Sequence, residues 1–292
     1  MRRVSPSSAP APLERLRDRI ARTGAPLCLG VDPDPRQLPD GLSQDVRGIE
    51  TFARGLIEAA ADHAVAVKIN VAFFEAFGAD GWAALERVRA DVPPALVCVL
   101  DAKRGDIGTT AERYAEGLFG RLEADAVTLS PYLGEDAIEP FLAYPNRLVY
   151  VLARTSNPSA ASLQERRIDG EPVHVVVAKW AAARWPGGRV GLVVGATVPG
   201  ELARLRAEVP GPGFLVPGVG AQGGDLVAAV RSCAGAWAPG IVSISRGIAG
   251  AAAGTEWQAA VADAAGRLRG RFREAVVHST ASAADADQRG GS

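Results

Sequence analysis

The chain is punctuated by short apolar runs with little of the alternation that a half-exposed strand shows. They are PLCLGVD (26–32), VAVKIN (65–70), ALVCVLD (95–101), AVTLS (126–130), LVYVLA (148–153), RVGLVVG (189–195), GFLVPG (213–218) and IVSIS (241–245). Continuous runs of this length predict parallel strands covered on both faces. Segments with apolar residues at helical spacing lie between them: 46–64, 81–92, 109–123, 173–185, 201–209 and 224–233. A last helix is predicted over 255–276, with Thr255 and Glu256 as its start.

Eight strands alternating with helices predict an α/β fold, a single-domain (β/α)8 TIM barrel. A doubly wound open sheet is the structural alternative. Its dinucleotide fingerprint is missing, because GVDPDP follows the first strand where G-x-G-x-x-G is required. The expected boundaries are a flexible Ser/Pro/Ala leader over 1–12, a barrel over 13–277 and a flexible tail over 278–292.

Composition narrows the function. The 292 residues are 48% hydrophobic, enough for a sizeable core, and 32 basic against 33 acidic residues give a net charge of −1. A nucleic-acid partner is not expected from so balanced a charge. No apolar run reaches the roughly 18–20 residues of a membrane helix, and no apolar stretch follows the N-terminal arginines as in a secretory signal. A cytoplasmic protein is expected. Cys28, Cys98 and Cys233 are scattered, as are His63, His174 and His278, so neither a disulfide framework nor a metal site is predicted. The cysteines inside apolar runs read as buried thiols.

A barrel places its site at the C-terminal strand ends. Candidates there are Asp32, Lys68, Asn70, Asp101, Lys103, Asp106, Ser130, Ser156, Gly218–Gln222 and Arg246. The stretch VLDAKRGDIGTT (99–110) is the most informative. Residues i and i+2 of a strand share a face, so Asp101 and Lys103 project together. Lys68 ends the neighbouring strand and Asp106 follows in the loop. The expectation is an alternating array, Lys68–Asp101–Lys103–Asp106, whose charges survive desolvation by pairing and whose carboxylates hold Lys103 protonated. An ammonium so clamped is suited to proton donation and ill suited to Schiff-base attack. A purely structural salt-bridge network is the competing reading of these residues alone.

Two further segments bear on anion binding. VPGVGAQGGD (216–225) offers glycine-rich backbone to a ligand, and SISRGI (243–248) supplies Arg246, which can fork onto a phosphate. An ordinary turn is the alternative for the glycine loop alone. Asp32 in LGVDPDP is within reach of a ribose hydroxyl, or is simply a turn-forming Asp before Pro33.

From Leu27 to Ile248 these segments together resemble the orotidine 5′-phosphate decarboxylase family. LDAKRGDIGTT is similar to its Asp-x-Lys-x-x-Asp signature, VAVKIN supplies the preceding lysine, and VPGVGAQGGD and SISRGI are similar to its phosphate-binding segments. VKINVAFFEAFG resembles the longer bacterial subgroup. The resemblance implies a homodimer, without metal or organic cofactor, that converts orotidine 5′-monophosphate to UMP and CO2 in pyrimidine biosynthesis. It implies that Lys103 protonates C6, that Asp101 faces the substrate carboxylate, and that Lys68 touches the ribose and orients Asp101. Asp106 would reach into the partner's site with Thr110 nearby. Asp32 would bind ribose and Ser156 the pyrimidine. Gln222 and Arg246 would hold the phosphate, helped by backbone of Gly220 and Gly247, with Pro217 also in the binding site. A magnesium-dependent sugar-phosphate relative and a non-catalytic nucleotide binder are the alternatives. The long segments after Asp32 and Ser156 are unexplained.

Overall fold

In a computed structural model, residues 10–220 and 223–290 are described, with side chains to His278. Eight parallel strands close into a barrel. They are β1 (Leu27–Val31), β2 (Ala66–Asn70), β3 (Val97–Arg104), β4 (Ala126–Leu129), β5 (Leu148–Arg154), β6 (Val190–Val194), β7 (Phe214–Pro217) and β8 (Ile241–Ile244). Each pairs with its sequence neighbours, and β8 closes on β1 through Leu27↔Val242 to Leu29↔Ile244. Every predicted apolar run is therefore a barrel strand, and the open-sheet alternative is excluded by the closure.

Two layers of core follow from strand alternation. Outward side chains such as Leu29, Ile69, Leu100 and Val216 pack under the surrounding helices. Inward side chains, among them Cys28, Ala66, Val97, Val99, Ala126, Tyr150 and Leu215, fill the barrel. All three cysteines are free and buried. Burial pushes their thiols up to about 12, so they are inert at neutral pH.

The helix Pro12–Thr23 falls at the start of the expected barrel domain. Its signals are proline at the first turn, apolar Leu13, Leu16 and Ile20, and a left-handed Gly24 cap. Leu16 is fully buried and joins the inward-facing core at the bottom of the barrel. The helix is fixed there by Arg15, whose guanidinium donates to the Asp125 carboxylate, to Pro94 O at 2.7 Å and to Leu96 O at 3.3 Å. Asp125 is 4% exposed and also accepts from Cys98 N at 2.9 Å.

The helix after β8 runs Trp257–Gly290, across the 278–292 segment expected as a flexible tail. That segment is rich in alanine, the strongest helix former. Trp257 packs on Phe52 of the helix Val46–Ala60 at 5.2 Å between ring centroids. Gly55 makes this possible, because a Cβ there would lie 2.3 Å from the indole. No helix among the described residues is long and apolar enough to cross a membrane.

The long segment after Ser156 is ordered. It contains a short helix at Ala161–Gln164 and a hairpin of Arg167–Ile168 with Glu171–Pro172. Asp169 and Gly170 turn the hairpin with φ of 50° and 85°, the left-handed pair that an Asp-Gly turn requires.

Asp125→Ala should destabilise the fold by about 3–5 kcal/mol, because it leaves Arg15 at a buried site without its carboxylate. Denaturant unfolding tests this. A loss below about 1 kcal/mol would show that the clamp under the barrel is dispensable.

Candidate active site

The site is assembled where β1, β2, β3 and β4 end together. Parallel registry sets Asn70 of β2 beside Asp101 of β3, and Lys68 beside Gly30 of β1. The Lys68 ammonium, almost wholly buried, donates to Asp101 Oδ2 at 2.9 Å. Lys103 Nζ donates to Asp101 Oδ1 at 2.6 Å. One carboxylate thus binds two ammonium groups.

Strand alternation alone does not produce this pairing. The β3–β4 register shifts between Leu100 and Arg104, and Lys103 has φ of 46°. A non-glycine residue in left-handed backbone is costly and is held there by its surroundings. Here the hold is Thr128 of β4. Lys103 N donates to Thr128 Oγ1 at 3.0 Å, and Thr128 Oγ1 donates to Asp101 Oδ1 at 2.9 Å. The bulge turns the end of β3 so that its lysine curls back onto its own aspartate.

The charges are locked by this geometry. Burial alone would raise the Asp101 carboxyl, but Lys68 and then Lys103 more than offset it and hold it well below the usual carboxylate range. Burial alone would lower the Lys68 ammonium, but Asp101 and then Asp32 hold it above the ordinary lysine value. Asp101 and Lys68 stay ionised across neutral pH. Asp32 stands just beyond β1 with Oδ1 3.8 Å from Lys68 Nζ, too far for a hydrogen bond. That oxygen is buried without a hydrogen-bond partner among the described residues, and Asp32 lines the cavity.

A cavity of 620 Å³ lies over the array. Asp32, Lys68, Asp101 and Lys103 line one side, and Ser156, Pro217, Arg246 and Gly247 line it elsewhere. Of the other expected residues, Asp106 and Thr110 do not line it. Asp106 makes no ion pair among the described residues and accepts from Ile107 N at 2.8 Å; Thr110 is exposed on the helix Gly108–Ala115. Within one chain the alternating array therefore has three members, because Asp106 lies beyond the end of β3 at Arg104 and outside the cavity. Gly220 does not line this cavity but one behind it, shared with Gly247. Gln222 lies outside the described residues.

The glycine segment is held tightly. Gly218, Gly220 and Gly223 have φ of 97°, 80° and 80°. Gly224 N donates to Gly218 O at 3.1 Å, closing the loop on itself. Asp225 then caps the next helix, accepting from Val227 N and Ala228 N. Arg246, just after β8, has no carboxylate partner among the described residues.

The orotidine 5′-phosphate decarboxylase / HUMPS family model matches residues 25–260. The chain belongs to this family. Among its relatives is the orotidine 5′-phosphate decarboxylase of Roseiflexus castenholzii, 50% identical over 260 residues, covering 87% of this chain and 94% of that protein. The orotidine 5′-phosphate decarboxylase of Thermomicrobium roseum is 46% identical, covering 88% and 92%. A solved structure of Leishmania donovani OMP decarboxylase superposes with a TM-score of 0.76 at 38% identity, covering 90% of this chain and 99% of that one.

Thr128 is the site residue of this decarboxylase-family barrel that the sequence reading passed over. The signal was a hydroxyl at the centre of AVTLS, flanked by Val127 and Leu129. Alternation places it inward, level with the end of β3. Asp34, Gln37 and Asn157 also line the cavity, from the two long segments that follow β1 and β5.

Proposed function

We propose that the chain is an orotidine 5′-phosphate decarboxylase, converting orotidine 5′-monophosphate to UMP and CO2 without metal or organic cofactor. Family membership supports the activity. The observation that carries the mechanism is the Lys68–Asp101–Lys103 array at one side of a cavity whose other side presents Arg246.

In this reading Gln222 and Arg246 hold the substrate phosphate, helped by backbone of Gly220 and Gly247. Arg246 has its guanidinium free for this. The open Asp32 oxygen accepts from a ribose hydroxyl, and Lys68 donates to the ribose while orienting Asp101. Ser156 and Pro217 meet the pyrimidine. The C6 carboxylate then faces Asp101, and C6 faces Lys103. The C6–carboxylate bond breaks, CO2 leaves, and the electron pair remains on C6. Lys103 transfers a proton to that carbon, and solvent restores the ammonium. A fixed ammonium stabilises the developing carbanion without reorganising, which is the main electrostatic contribution available to a site with no electron sink. Asp101 also opposes the substrate carboxylate in the ground state. Binding energy from the remote phosphate holds the ring in place.

We also propose a homodimer in which Asp106 and Thr110 reach the partner's cavity. Their absence from their own cavity supports this. So does the exposed apolar surface beside them, formed by Ile107, Tyr114, Tyr132 and Leu133, with Tyr132 85% exposed. A cytoplasmic location fits the three free thiols.

Purified protein mixed with orotidine 5′-monophosphate and EDTA should release CO2 and form UMP. Lys103→Ala should abolish turnover and leave UMP binding within about tenfold of wild type. Turnover that requires added Mg2+ would favour a metal-dependent sugar-phosphate relative instead. Mixing Asp106→Ala and Lys103→Ala chains should restore activity, because one site of the mixed dimer collects both defects and the other neither. No rescue in demonstrated heterodimers would contradict the shared site.

A further inference from the structure

Behind Ser156 lies a chain of buried polar contacts that the reaction itself does not use. Residue 154 ends β5, and Thr155 and Ser156 then enter the cavity wall. Ser156 is pressed against β6: a Cβ on Gly195 would stand 3.0 Å from the Ser156 Cα, so only glycine admits this approach. From the other side, Gln164 grips Thr155 at two points. Its Oε1 accepts from Thr155 N at 2.9 Å, and its Nε2 donates to Thr155 Oγ1 at 2.8 Å. The hydroxyl passes its own proton to Asn157 Oδ1 at 2.6 Å.

Gln164 is itself braced. Its backbone carbonyl lies 2.8 Å from His174 Nδ1, and His174 Nε2 lies 2.9 Å from Glu201 Oε2. His174 is fully enclosed and bridges the short helix Ala161–Gln164 to the helix Pro199–Glu208. Beside it the buried Arg154 donates to Thr155 O at 2.7 Å and to Glu165 Oε1 at 2.8 Å. The Thr155 N–H and hydroxyl are therefore held by the segment that follows and its carbonyl by Arg154, leaving the neighbouring Ser156 fixed in the wall.

We propose that Gln164, braced by His174 and Glu201, is a positioning residue that sets the height of Ser156 and thereby selects for a pyrimidine base in the cavity. The long excursion over 157–172 is then a support for base recognition. This rests on the decarboxylase reading, in which Ser156 meets the base. The amide is required because it must accept from an N–H and donate to a hydroxyl on one residue. A glutamate of the same length can only accept.

The test compares binding of UMP with binding of ribose 5-phosphate, which lacks the base. Gln164→Glu and Thr155→Val should each weaken UMP about tenfold, as expected for a buried polar group left unpaired, while ribose 5-phosphate affinity stays within about twofold. Thr155→Ser, which keeps the hydroxyl, should bind UMP like wild type. Two variants guard against one misfolding, and circular dichroism checks both. Equal losses for both ligands, or unchanged UMP affinity in folded variants, would overturn the proposal and leave the network as a strut. Wild-type protein that neither binds UMP nor decarboxylates the substrate would instead overturn the decarboxylase reading, and this proposal with it.

Discussion

The structure depends on one nearly buried carboxylate bound to two ammonium groups. Asp101 accepts from Lys68, Lys103 and Thr128, all within 2.9 Å. Removing the Asp101 and Lys68 charges from water costs several kcal/mol for each ion, and only close pairing with further hydrogen bonds offsets it. The cost is accepted where rigid charge is needed. A cofactor-free proton donor to a carbanion needs an ammonium whose position is set before the substrate arrives. Asp101 sets two of them.

That requirement explains why the barrel mouth is built as it is. Lys68, Asp101 and Thr128 come from three adjacent strands, and parallel registry brings their ends level. Lys103 comes from the bulged end of β3, in a backbone conformation that costs on the order of 1–3 kcal/mol for a non-glycine residue. Its amide returns to Thr128 and its ammonium to Asp101, which are themselves hydrogen-bonded. Strain and charge pairing are thus coupled: the bulge aims the lysine, and the ion pair keeps the bulge. The opposite side of the mouth is built differently, from glycine backbone and a free arginine, as suits a ligand that brings its own charge.

Much of this was legible in the sequence. Parallel strands covered on both faces are apolar throughout, so all eight appeared as runs, and their ends located the site. Asp101 and Lys103 were found as a pair because they stand two positions apart. The reason given, regular alternation, was incomplete; the left-handed Lys103 depends on a hydroxyl of β4 that only tertiary packing brings near. The partners of Thr128 lie 25 and 27 positions away and that of Gln164 nine, pairings that strand runs and helical spacing do not reveal. Asp106, which the resemblance assigns to the partner's site, does not line the cavity of its own chain. The helix Pro12–Thr23 was not among the predicted helices, although its proline, its apolar spacing and Gly24 signal it. The continuation to Gly290 was masked by small polar residues that read as a tail, although alanine favours helix.

The central claim is that Asp101 stays ionised between its two lysines. Carboxyl-13C-labelled aspartate, assigned by comparison with Asp101→Asn, reports this directly in an NMR titration from pH 7 to about 3.5, below the ordinary aspartate value of about 3.9. The account predicts that the Asp101 signal keeps its ionised position throughout, since its carboxyl is held well below the usual range. A transition centred near pH 4 would show an unclamped carboxylate and contradict the account.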